Sequence, residues 1–347
     1  MAVMGVDIRR RRVGRTALEV TELGFGGAAI GNLYRTVSNA DALDAVRDAY
    51  SAGVRLFDTA PLYGLGLSER RLGLALEDFP RGSYVLSTKV GRRLKPEDPA
   101  RIEVPIFERI PGARPYFDYS YDGVMRCLEE SLLRLGTFRA DIVYIHDVDV
   151  TNQGSSAATE QRFREVMTGG YRALAELRDQ GVVKAIGVGV NEWEWCERFA
   201  RAGDFDCFLL AGRYTLLEQE ALSTFLPLCS QRNISVVIGG PYNSGILASG
   251  AAAGASYNYG PAPPAVLERV QRLQAICDRH GIELAAAALQ FPLRHPAVAS
   301  VIPGVRTPEE MRRTLALHAV RIPADLWSEL KSAGLLRDDA PTNEVPA

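Results

Sequence analysis

The chain has 347 residues, 47% hydrophobic and 24% charged, with a formal net charge of −2. That is an ordinary globular composition, long enough to bury a sizeable core without disulfides or structural metal. The near-neutral balance argues against a nucleic-acid partner, no apolar run approaches the ~18 residues of a membrane span, and no secretory core opens the chain.

Residues 9–21 alternate around Gly14-Arg15 and predict a small β-hairpin. Its block Arg9-Arg10-Arg11-Arg12 reads as a solvated edge strand. Residues 22–27 read as a strand ending in glycines. A helix follows, with Ser38 as N-cap, Asp41 three residues on, and Gly53 as its end. The same alternation then repeats. Strands are predicted over 54–58, 84–89, 141–146, 182–188, 205–211, 234–239 and 298–302. Helices are predicted over 68–79, 122–135, 162–180, 192–202, 220–232, 264–294 (interrupted at His280-Gly281), 308–317 and 324–333.

Eight strands from residue 22 onward, each followed by helix, predict an α/β fold, a closed (β/α)8 barrel. The short apolar runs suit strands buried on both faces. An open doubly wound sheet is the competing architecture, but no G-x-G-x-x-G opens a helix after the first strand. A single domain is expected over 1–347, with the hairpin at about 9–21, the barrel at about 22–318 and a tail over 319–347. Segments 92–120, 148–160 and 242–264 read as insertions on the catalytic face. Cys127, Cys196, Cys207, Cys229 and Cys277 form no C-x-x-C pair and read as buried, reduced thiols of a cytoplasmic protein.

The chain is organised around Phe57-Asp58-Thr59-Ala60-Pro61-Leu62-Tyr63-Gly64. Asp58 ends the second predicted strand, Lys89 the third and His146 the fourth, and Tyr63 lies on the loop after Asp58. In a barrel these side chains converge on the face where active sites lie. A free phenol titrates near ~10, too high for efficient proton relay at neutral pH. A neighbouring Lys89 is expected to lower the Tyr63 pKa, with Asp58 holding Lys89 charged and His146 donating to the reacting oxygen. Such a site suits proton transfer coupled to hydride transfer through a cofactor. Singly, each residue has a plainer reading: Asp58 a loop cap, Lys89 solvated, Tyr63 a loop anchor, His146 with Asp147 and Asp149 a metal site. Lys89 would repel a cation there, and no metal is expected.

Asp58-Thr59-Ala60-x-x-Tyr63-Gly64 with Ser68-Glu69, then Ser87-Thr88-Lys89, then Tyr144-Ile145-His146, resembles the aldo-keto reductase superfamily from Leu18 to about Leu317. The resemblance implies a nicotinamide cofactor extended across the strand ends, with Tyr63 as general acid/base supported by Asp58, Lys89 and His146. It also implies cofactor contacts at Gly27, Asp58 and Asn191, the last on the carboxamide. Backbone N–H groups of Ser244, Gly245, Ile246 and Leu247 would meet the pyrophosphate, and Gly304 and Arg306 the adenosine side. Three departures stand out. Gly239 replaces a common stacking tyrosine, and Ala211 or Gly212 a carboxamide-binding glutamine. Glu310 stands where members preferring NADP often carry arginine, with Thr314 for a common asparagine. A carboxylate there would repel a 2′-phosphate, so NAD is favoured over NADP.

Phe117-Asp118-Tyr119-Ser120-x-Asp122-Gly123-Val124, Ile145-His146-Asp147-x-Asp149 and Gly239-Gly240-Pro241-Tyr242-Asn243-Ser244-Gly245-Ile246-Leu247 are similar to one subgroup. These are the D-threo-aldose 1-dehydrogenases, with L-fucose and pyridoxal 4-dehydrogenases among them. The implied reaction is oxidation of a free aldose at C1 to the aldonolactone, with 92–120 and 242–264 shaping the sugar pocket. Trp193 and Trp195 read chiefly as packing positions. The competing readings are the same machinery acting on pyridoxal or another aldehyde, and a non-catalytic cofactor-binding regulatory subunit. A small-molecule sugar or aldehyde is the expected partner. Nothing in the residues specifies an oligomeric state.

Overall fold

The computed structural model describes residues 7–345 except 103 and 105. Eight parallel strands form one sheet: β1 Phe25–Gly26, β2 Leu56–Asp58, β3 Val85–Val90, β4 Ile142–His146, β5 Ala185–Val190, β6 Cys207–Ala211, β7 Ser235–Gly239 and β8 Val298–Ile302. They pair in chain order from β1 to β8. The ring is closed by parallel bridges Leu23↔Val301 and Gly26↔Gly304, with Gly24 N–H donating to Val301 O at 2.8 Å. The fold is the expected (β/α)8 barrel.

Two apolar layers hold it. Leu56, Val85, Ile142, Tyr144, Cys207, Leu209 and Val237 pack inside the barrel, where hairpin residues Val13, Leu18 and Val20 join them. A larger cluster fills the space between strands and outer helices. The hairpin pairs Arg10–Arg12 with Glu19–Thr21 and thus plugs the barrel. Arg11 departs from the solvated reading. It is half-buried, bonds Glu22 at 2.6 Å, and donates to the carbonyls of Val298 and Leu293, both at 2.7 Å. A guanidinium with five donors can satisfy strand-end carbonyls that an apolar side chain would leave unpaired.

The helices begin where capping chemistry places them. Ser38 caps Asn39–Ser51 by accepting from Asp41 N, and Ser120 caps Tyr121–Leu135 by accepting from Gly123 N. The insertions are more ordered than their sequence suggests. Segment 92–120 contains a hairpin, Arg92–Pro96 against Ala113–Phe117. Segment 148–160 holds helix Val150–Gln153 and the start of Ser156–Glu165, so the predicted 162–180 helix begins earlier. That helix contains a π-turn, Val166–Gly170, before Tyr171–Asp179. Gly169 and Gly170 bring it against the backbone of Tyr119 to Tyr121, where an added Cβ would lie 2.9 Å or less from a backbone atom. All five cysteines are free and buried. Among the described residues, no helix is long and apolar enough to cross a membrane.

Candidate active site

A cavity of about 310 Å³ opens at the C-terminal ends of the strands. Asp58, Tyr63, Lys89 and His146 all line it. Each is placed by a local device. Gly27 N–H donates to Asp58 O, while Ser68 Oγ donates to Gly27 O and bonds Thr59 Oγ1, joining the ends of β1 and β2. The turn bearing Tyr63 packs backbone to backbone on the short 3₁₀ turn Ala29–Gly31. A Cβ at Gly31 would sit 2.7 Å from Tyr63 C, and one at Gly64 would collide with Gly31 O. Below, buried Glu69 accepts from Thr88 at 2.9 Å and Arg134 at 2.5 Å, tying two helices to β3.

Lys89 donates to Asp58 Oδ2 at 2.6 Å and to Thr59 O at 2.9 Å, and Ser87 donates to Asp58 Oδ1 at 2.7 Å. Burial pushes the Asp58 carboxyl up, against the pull of Lys89 and Ser87. The Lys89 ammonium stands 4.7 Å from the Tyr63 ring centroid. The expected lowering of the Tyr63 pKa is not found. Burial, then Asp58 and Asp147, raise the phenol well above its ordinary value. Lys89 lies over the ring face with its charge offset by Asp58, so the Tyr63 phenol is neutral in the free protein.

The His146 ring meets Tyr63 edge-on, with centroids 5.9 Å apart. Burial lowers its pKa to about 3, so the imidazole is neutral. Nδ1 is buried without a partner among the described residues, and Nε2 is 3.4 Å from Asp147 Oδ1. Tyr119 supports the end of β4 by donating to His146 O at 2.6 Å.

The expected cofactor residues divide. Gly27, Asn191, Ser244 and Gly304 line the cavity. Asn191 is fixed by its N–H to Asp149 Oδ2, at 2.7 Å. Gly245, Ile246 and Leu247 do not line it, and their N–H groups already bond Tyr242 O and Asn243 O within a tight turn. Those three amides are thus engaged internally rather than free for a pyrophosphate. Arg306 also lies outside the lining, with its guanidinium 3.7 Å from Glu310 and donating to Leu33 O. Trp195 packs against Phe163, and neither Trp193 nor Trp195 reaches the cavity.

Sequence reasoning passed over Leu33, Tyr34, Phe107, Thr151, Asn152, Arg213 and Tyr259, which also line it. They come from the loop after β1, all three insertions and the segment after β6. The 92–120 insertion crosses the mouth to meet the first loop, with Tyr34 N–H donating to Ile106 O at 2.8 Å. Tyr259 is tied down by Ser244 and Asn191. The floor fits a flat nicotinamide-type group. Gly189, Gly239, Gly240 and Gly304 line it beside Leu209, Ala211 and Ile302, and a Cβ at Gly240 would meet nothing nearer than 3.8 Å, which leaves room there for a flat ring. Among the described residues no three His, Cys, Asp or Glu side chains are grouped to hold a metal.

A (β/α)8 barrel with this cavity is the architecture of a known oxidoreductase family. The sequence profile of the Aldo/keto reductase family matches residues 22–334, and the chain belongs to that family. It is 42% identical to the pyridoxal 4-dehydrogenase of Microbacterium luteolum, over 94% of this chain and 98% of that one. It is 38% identical to the D-threo-aldose 1-dehydrogenase of a Pseudomonas species, over 92% and 95%. Among solved structures, the aldo-keto reductase AKR11C1 from Bacillus halodurans superposes with a TM-score of 0.73 at 23% identity, over 94% and 96% of the two chains, a likeness of fold.

Proposed function

We propose that the protein is a nicotinamide-dependent dehydrogenase that oxidises C1 of a free aldose to the aldonolactone. The observation that carries this is the convergence of Tyr63, Lys89, Asp58 and His146 on one cavity whose lining includes Gly189, Gly239 and Gly240. A bound nicotinamide supplies the hydride acceptor. Tyr63, in its phenolate form, takes the anomeric hydroxyl proton at its oxygen. His146, neutral, donates an N–H to the same substrate oxygen and so stabilises the charge that develops there. Lys89 and Asp58 fix the ring of Tyr63 from below. In the reverse direction Tyr63 returns the proton to the carbonyl oxygen that is being reduced. Gly27, Asn191, Ser244 and Gly304 hold the cofactor.

A second reading, pyridoxal as substrate, is favoured by the 42% relative and by the apolar wall of Leu33, Leu62, Ile106 and Phe107. L-Fucose, D-arabinose, L-galactose and pyridoxal, each with NAD and NADP and followed by absorbance of the reduced cofactor, separate the two. No turnover of any aldose removes the first reading.

We further propose NAD as the preferred cofactor. Glu310 accepts from Arg35 at 2.6 Å and pairs with the Arg306 guanidinium at 3.7 Å. Both arginines are therefore occupied by a carboxylate that a 2′-phosphate would have to displace. A higher kcat/KM with NADP than with NAD overturns this preference. The chain is proposed to act as one domain in the cytoplasm.

A further inference from the structure

Asp147 has no part in the chemistry just proposed, yet its placement is unusual. It lines the cavity as a buried carboxylate immediately after His146. Its backbone is left-handed, with φ +60, which L-residues other than glycine adopt at a cost. Strain of that kind persists where the surroundings over-determine it, and it gathers at working sites. Here Asp147 N–H donates to Gly189 O at 3.0 Å, and Gln153 donates to Asp147 O at 2.8 Å. The side chain is clamped as well, since Arg92 donates to Oδ2 at 2.5 Å.

The clamp leaves Oδ1 accepting no hydrogen bond among the described residues, 3.4 Å from His146 Nε2. A donor and an acceptor therefore stand side by side. They are about as far apart as the oxygens on two adjacent carbons of a polyol. If His146 Nε2–H holds the oxygen on the reacting carbon, Oδ1 faces the hydroxyl on the next carbon. The wall around it is polar, with Thr151 and Asn152, whereas Leu33, Leu62, Ile106 and Phe107 form the apolar side.

We propose that Asp147, clamped by Arg92, is a specificity-determining residue that accepts a hydrogen bond from the hydroxyl next to the reacting carbon. The site would thereby select 2-hydroxy aldehydes and their cyclic hemiacetals. This rests on the dehydrogenase reading for the position of the reacting oxygen. A hydrogen bond to a charged acceptor in a buried site separates substrates with and without the donor by ~10-fold or more.

The test compares D-arabinose with 2-deoxy-D-ribose, the same sugar lacking its C2 hydroxyl. Wild type should favour D-arabinose in kcat/KM by at least ~10-fold, expressed mainly in KM. In Asp147→Asn the amide oxygen stays with Arg92, so the NH2 group turns to the cavity and offers a donor where an acceptor stood. The preference should fall to near unity. A purely structural role would lower both sugars alike and leave the ratio intact. Calorimetric titration of both sugars into Tyr63→Phe with reduced cofactor reads the same preference without turnover. Equal wild-type use of the two sugars, or a ratio unchanged in Asp147→Asn, overturns the proposal and leaves the dehydrogenase reading standing. Asp147-dependent sugar binding without turnover of any aldose or aldehyde by wild type overturns that reading instead and supports the proposal. Neither binding nor turnover overturns both.

Discussion

Lys89 and Asp58 form a 2.6 Å ion pair at the mouth of the barrel, and neither side chain is more than 3% exposed. Removing one partner of a buried pair leaves an uncompensated charge in low dielectric, at a cost of ~3–5 kcal/mol. Lys89→Met and Asp58→Asn should each lower the urea-unfolding free energy by about that amount. The double variant should lose less than the sum, because no orphan charge remains. Losses that add would show that the two side chains act independently. Turnover should fall in all three, since the ring of Tyr63 loses the Lys89 ammonium in two of them and the carboxylate that holds that ammonium in place in the third.

The phenol of Tyr63 sits well above its ordinary value and the imidazole of His146 near 3. Neither group changes charge between pH 5 and 8. In the proposed reaction oxidation requires Tyr63 to accept a proton, so its kcat/KM should climb through the alkaline range as the phenolate fraction grows. Reduction uses the phenol and should stay level there. Tyr63→Phe should lower turnover by ~10²–10⁴-fold while leaving cofactor affinity, read by fluorescence titration, within about two-fold. A break at the ordinary histidine pKa that disappears in His146→Gln would contradict the neutral imidazole.

Asp149 is a carboxyl raised into the accessible range. Burial, then Asp147, push it up to about 6, against donation from Asn191 and Asn152. Its folded value exceeds the unfolded one of ~3.9, so protonation favours the fold. That contribution is complete below ~4 and is lost as pH rises through about 6. Unfolding free energy of wild type should therefore decline between pH 4 and 7 relative to Asp149→Asn, by at most ~3 kcal/mol. Asp149 also holds the backbone of Asn191, so cofactor affinity should change near pH 6 in wild type and not in the variant. Parallel stability curves for the two proteins would exclude Asp149 as the titrating group.

Much of this site was readable because strand ends in a barrel carry their own address. Asp58, Lys89 and His146 close short apolar runs, and the fold alone brings such positions together. Partner choice within the site was not readable. A lysine near a phenol can act on its oxygen or stand over its ring, and only the bond to Asp58 decides between them. The loops were harder still. Arg92 and Asp147 are 55 positions apart, and nothing local links them before the Arg92–Pro96 and Ala113–Phe117 strands pair. Arg11 belonged to a run of four arginines whose sequence gives no sign that one of them is turned inward. For Gly245 to Leu247 the glycine-containing turn suggested free amides, whereas the turn's own closure engages them.

Gly64 and Gly136 offer a comparison that separates backbone strain from collision. Both are left-handed, with φ +61 and φ +62. Substitution by alanine imposes a strain of ~1 kcal/mol at either. A Cβ at Gly136, the C-cap of helix Tyr121–Leu135, meets nothing within 4 Å. One at Gly64 collides with the backbone of Gly31 and must push the Tyr63 turn away from it. Gly136→Ala should therefore lose about 1 kcal/mol of stability and keep its kcat. Gly64→Ala should lose more than that, and its kcat should fall by up to ~10²-fold, because a displacement of about 1 Å suffices to misplace a catalytic group. Denaturant titration and steady-state rates on the two variants measure both effects. Equal kcat values in Gly64→Ala and wild type would show that the contact with Gly31 does not position Tyr63.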